Sequence, residues 1–133
     1  MSTKTMNRMA MATAIALTAL AVPVTLAAPA LAKGSDAVTA QGTCSNGATW
    51  KLKAKHDNAV IQWELEVDTN RAGQVWSVKV TDNANTVFSG KRTTLAPSGS
   101  FSVGGRTADR AGVDVIRATS TRGTAVCSAK VSA

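Results

Sequence analysis

Tyrosine is absent from this 133-residue chain, phenylalanine occurs twice and histidine once. The scarcity bears on function. Trp50, Trp63 and Trp76 each share a strand face with Leu or Val two residues on, which directs them inward. The surface is then left without the stacking platform that sugar and nucleic-acid binders use. The single histidine, His56, falls in a stretch that reads as a tight turn, His56-Asp57-Asn58-Ala59, and no Gly-x-Ser-x-Gly elbow accompanies it. A Ser-His-Asp triad is therefore not expected, nor any other enzyme activity. Cysteine is limited to Cys44 and Cys127, and C-x-x-C spacing is missing, so neither a metal nor another cofactor is expected. Beyond residue 32, no stretch repeats with the period of a helix.

What is present first is an export signature. Lys4 and Arg8 give a basic start, residues 9–32 carry no charge, and Ala30-Leu31-Ala32 ends the run with small-x-small residues. This predicts a cleaved secretory signal over 1–32. Pro23 and Pro29 interrupt the run and argue against a membrane span. Without a twin Arg or a Cys beside the cleavage point, the general secretory route and a lipid-free product are expected. Localisation is expected to be extracellular, with no membrane span after signal removal.

Setting aside Lys4 and Arg8 leaves thirteen Lys and Arg against eight Asp and Glu, a formal balance of +5. Such a balance favours anionic partners, but it is too sparse for a nucleic-acid binder. Residues 33–41 read as a flexible polar lead, and 42–133 as one domain.

In that domain the hydrophobic pattern has period 2. Trp50, Leu52 and Ala54 alternate with Lys51, Lys53 and Lys55; Ile61, Trp63, Leu65 and Val67 alternate with Gln62, Glu64 and Glu66. Strands are predicted at 49–56, 60–67, 75–81, 86–94, 100–104, 113–119 and 124–131, separated by Asn-, Asp-, Gly- and Pro-bearing turns. About seven antiparallel strands at this spacing predict an all-β, immunoglobulin-like sandwich. Two cysteines in an exported chain predict one disulfide, Cys44–Cys127, closing a loop of roughly 80 residues. The three Trp stand 13 residues apart in Trp-polar-aliphatic-charged-aliphatic frames, as large inward residues of three successive strands.

The segments Ala96-Pro97-Ser98-Gly99-Ser100-Phe101-Ser102-Val103, Gly112-Val113-Asp114-Val115-Ile116-Arg117-Ala118 and Cys127-Ser128-Ala129, with Cys44 and Trp76, resemble those of small exported immunoglobulin-like proteins of actinobacteria, most without assigned function. The resemblance implies a disulfide-pinned extracellular sandwich and carries no catalytic or binding residues.

The residues left for function are few. Lys51, Lys53 and Lys55 make an outward basic row that could contact an anion, with Lys79, Lys91 and Arg92 on other strands and Phe88 outward if the turn before it is symmetric. A symmetric turn at 56–59 would pair Lys55 with Val60, Lys53 with Gln62 and Lys51 with Glu64, so that the facing strand supplies lysines and Glu64 and Glu66 read as structural rather than as a catalytic pair. Asp82-Asn83-Ala84-Asn85 reads as a hairpin turn instead of a calcium loop. Asp114 is either an inward strand residue compensated by Arg106 or Arg110, or a loop-end residue before a strand starting at Val115. The expected function is a secreted, monomeric, non-enzymatic binding module for an anionic envelope polymer or another secreted protein. The alternative is a small inhibitor or effector acting through the loop at 69–74 or 95–100, which would have to be rigid.

Overall fold

The computed structural model describes residues 37–133; the export signature and residues 33–36 lie outside them. Eight strands follow one another: β1 (Ala37–Thr43), β2 (Thr49–Asp57), β3 (Val60–Asp68), β4 (Val75–Asp82), β5 (Asn85–Thr93), β6 (Ser100–Ala108), β7 (Val115–Arg122) and β8 (Ala125–Ser132). They form two antiparallel four-stranded sheets, ordered β1-β2-β3-β6 and β5-β4-β7-β8. The expected sandwich is thus present, with an eighth strand.

That strand is β1, and it corrects the expected flexible lead: residues 37–41 are paired. Ala-Val-Thr-Ala-Gln-Gly-Thr has too few apolar residues to show an alternation of its own. Its partner β2 orders it, from Ala37 opposite Lys55 to Thr43 opposite Thr49. β6 also runs past the expected end at Gly104 as far as Ala108, because β3 offers a partner along its whole length.

The core lies between the sheets. Leu52, Ala54, Ile61, Trp63, Leu65 and Val67 meet Trp76, Val78, Val80, Ile116, Ala118 and Val131, all buried. Alternation along these strands puts the core residues on one face and, Asp82 apart, the charged ones on the other. Trp76 and Trp63 are core residues as expected, whereas Trp50 is half-buried. Two indoles cover glycines directly across the sheet. A Cβ on Gly105 would sit 2.7 Å from Trp63 Cζ2, and one on Gly42 equally close to Trp50 Cζ2. Glycine at these positions makes room for a flat ring against the neighbouring backbone.

Two-residue turns set the hairpin registers. Asn58, with φ 57°, closes β2–β3, and Asn83 and Ala84, with φ 47° and 72°, close β4–β5. Both central residues of the second turn have positive φ, the geometry that matches strand twist. A bulge between Val80 and Thr81 then shifts the pairing so that Val80 faces Phe88. Phe88 is consequently not outward: it packs on the core with its ring centroid 6.1 Å from that of Trp63, and the Arg92 guanidinium lies 4.9 Å above it.

The bridge Cys44–Cys127 joins the β1–β2 connection of one sheet to β8 of the other. It is the kind of bond that persists in oxidising, extracytoplasmic compartments. No helix among the described residues is long and apolar enough to cross a membrane.

Candidate functional site

The lysine row lies on the outer face of β2, as its alternation requires, but its neighbours differ from those expected. The β2–β3 turn uses Asn58 and Ala59 alone, so Lys55 faces Gln62, Lys53 faces Glu64 and Lys51 faces Glu66. A turn two residues shorter than the symmetric four-residue one moves every pair by two positions. The consequence is that two of the three lysines stand opposite carboxylates. None of these lysines forms an ion pair among the described residues, where the salt bridges are His56–Asp109 and Arg110–Asp82.

Strand β6 completes the face. Gln62 is paired with Arg106 and Glu64 with Gly104. Gly104 contributes no side chain at an outward position, and a hollow of about 490 Å³ opens there, bordered by Lys53, Lys55, Gln62, Glu64 and Arg106. Gly104 has no positive φ to require glycine; its effect is to leave space. Three cations around one carboxylate make the hollow net positive, and cations set around a concavity reinforce one another's field. Lys51 is elsewhere. It borders a second depression with Gln41, Trp50, Glu66 and Asp68, where two acids outnumber it. The expected row of three therefore separates into a cationic pair that gains Arg106 and a lysine balanced by acids.

Arg106 was expected, if anything, to reach Asp114. The long-range pairing of β6 with β3 turns it onto the outer face instead. Lys79 and Lys91 are exposed on the other sheet, on adjacent strands β4 and β5, and do not extend the hollow.

At the opposite end of the sandwich, the loops at 69–74 and 95–100 brace one another. The Thr69 backbone N–H and Oγ1 both donate to Gly99 O, at 2.9 and 2.8 Å. Buried Thr94 Oγ1 donates to Arg71 O at 2.5 Å and accepts from the Gln74 N–H at 2.9 Å. Gly99 has φ +73°, and a Cβ on it would lie 2.1 Å from the Arg71 backbone N. Gly99→Ala combines a strained φ with a clash against backbone, so a loss of about 3 kcal/mol is expected in thermal or urea unfolding. The loops have no disulfide of their own; hydrogen bonds from threonines hold them.

The remaining polar cluster was not legible in advance. His56 is not in a turn: it is the penultimate residue of β2, and its Nδ1 lies 2.8 Å from Asp109 Oδ2. Asp82 and Asp114 are buried, and the Arg110 guanidinium reaches Asp82, not Asp114. Asp114 precedes β7, which begins at Val115, yet it is fully buried. It combines the two expected possibilities.

The chain matches no protein-family model, no curated protein and no solved structure.

Proposed function

We propose that this protein is an exported, non-enzymatic binding module that contacts an anionic polymer of the cell envelope through the outer face of β2, β3 and β6. The observation that carries this reading is the hollow bordered by Lys53, Lys55 and Arg106, with one carboxylate among three cations. The export signature at 1–32 supplies the setting, and the disulfide agrees with it. The same features fit the small exported immunoglobulin-like proteins that the sequence resembles.

Binding of this kind is electrostatic and shallow. Its strength falls with ionic strength, because exposed charges are screened over about 8 Å at physiological salt. The purified, oxidised protein is expected to co-sediment with cell-envelope fractions at low salt and to be released at high salt. Absence from the pellet at low salt would remove the envelope polymer as partner and leave a secreted protein.

A second reading has one observation in its favour. An inhibitor needs a loop already held in its bound conformation, and the mutual bracing of the loops at 69–74 and 95–100 supplies that rigidity. Leu95, 66% exposed, stands on the second of them. Inhibition of a secreted protease or glycosidase that Gly99→Ala weakens would favour this reading over the first.

A further inference from the structure

The β2–β3, β4–β5 and β6–β7 connections meet at one end of the sandwich, and two fully buried carboxyl groups lie beneath them, Asp82 at the end of β4 and Asp114 before β7. Their donors are unevenly shared. Asp82 Oδ2 accepts from Thr107 Oγ1 at 2.7 Å and from Arg110 Nη1 at 2.9 Å. Asp82 Oδ1, equally buried, has no hydrogen-bond partner among the described residues. Asp114 Oδ1 accepts from Asn83 Nδ2 at 3.1 Å, and its Oδ2 from the Arg110 backbone N–H at 3.2 Å. The two carboxyl groups are tied to the same residue, Arg110, whose guanidinium meets Asp82 and whose backbone N–H meets Asp114.

Two carboxylates beside one guanidinium would leave a buried negative charge unbalanced and a buried acceptor without a donor. Both conditions are costly. One proton between the two groups removes both: it cancels the second charge and gives Asp82 Oδ1 its donor. Arg110 and Thr107 already occupy the other Asp82 oxygen, so Asp82 is the acceptor of the pair and Asp114 the donor.

We propose that Asp114 and Asp82 share one proton in the folded protein, and that this bond latches the loop at 109–114 onto the end of the sandwich and releases it as pH rises. Burial pushes the Asp114 carboxyl above the usual carboxylate range. The Arg110 backbone N–H opposes that shift, and the charge of Asp82 with the side-chain hydrogen bonds to Asp82 and Asp109 adds to it. The loop is attached to the latch at two points, by the Arg110 guanidinium on Asp82 and the Arg110 N–H on Asp114. The titratable and charged groups facing the pair are His56 from β2 and Asp109 and Arg110 from the loop itself, and the backbone oxygen of Ala133 accepts the Asp114 backbone N–H at 2.9 Å.

The sign follows from linkage. Asp114 binds its proton more tightly folded than unfolded. Its contribution to stability is therefore complete below the ordinary aspartate pKa and is lost as pH rises through the elevated one. Between those limits the folding equilibrium constant falls tenfold per pH unit on account of this one proton.

Asp114→Asn keeps a donor for Asp82 Oδ1 and cannot titrate. Urea unfolding of the wild type and Asp114→Asn from about pH 4 to 9, with carbon-detected titration of the wild-type Asp114 carboxyl, tests the proposal. The expected result is a one-proton slope in the wild type that the variant lacks, and an Asp114 carboxyl carbon titrating above the ordinary value near 3.9. Protection of the Arg110 amide is expected to disappear over the same pH interval. An Asp114 carbon that titrates in the ordinary range, or identical pH profiles for the two proteins, overturns the shared proton. Undiminished Arg110 protection after Asp114 has ionised overturns the latch. If Asp114→Asn does not fold, the wild-type carboxyl titration and amide protection decide the matter alone.

Discussion

Replacing Cys44 and Cys127 together by alanine is expected to destabilise the protein by about 4.5 kcal/mol, on the chain-entropy account of a cross-link. The partners are 83 positions apart, so the bridge closes most of the described chain into one loop and strongly restricts the unfolded ensemble. It also joins the two sheets across the edge where β1 lies near β8. Urea unfolding of the oxidised wild type and the double variant measures the effect. The variant's m-value should rise, since its unfolded chain exposes more surface. A loss below about 1 kcal/mol would mean that local contacts already hold this corner. The candidates are the bonds from Cys44 N–H to Ala48 O at 2.7 Å and from Ser45 N–H to Val126 O at 2.9 Å.

Trp76→Ala is expected to cost about 4 kcal/mol, in the range for emptying a buried aromatic site. Trp76 is fully buried in β4, tilted at 46° to Phe101 of the facing sheet with centroids 6.4 Å apart. Its indole N–H donates to Gln74 Oε1 at 3.4 Å, so the ring is anchored at its polar end as well as packed on its faces. Trp50→Ala provides the contrast. Trp50 is half-buried, and its loss should be smaller in the same unfolding assay. Equal losses at the two positions would contradict the placement of Trp50 at the margin of the core.

The strands of this protein were legible where they carry their own alternation. From Trp50-Lys51-Leu52-Lys53-Ala54 to Val126-Cys127-Ser128-Ala129, a period of 2 distinguishes core from solvent without reference to any partner. β1 carries no such signal, since its pairing with β2 and not its composition makes it a strand. The lysine row was legible as a face, but its charge balance was not. That balance depends on a turn two residues long in place of four, decided by Asn58 at positive φ. Arg106 joins the hollow only through the pairing of β6 with β3, some 40 positions away in sequence. The buried polar cluster beside it is mostly long-range: His56 meets Asp109 across 53 positions, and Thr107 meets Asp82 across 25. Local pattern cannot announce such contacts. Asp114 alone gave warning, as an acid within an otherwise apolar alternation.

Charge alone and a charged site make different predictions. Neutralising Lys53, Lys55 and Arg106 to glutamine removes three cations from the hollow. Neutralising Lys79, Lys91 and Lys130 to glutamine removes three exposed cations from the other sheet and leaves the same net charge. The most direct measurement is co-sedimentation of these two variants and the wild type with cell-envelope fractions at low salt. Loss of retention in the first variant, with the second retained like the wild type, is the predicted result. Equal retention of both variants, or equal loss from both, would contradict a binding site on the β2, β3 and β6 face.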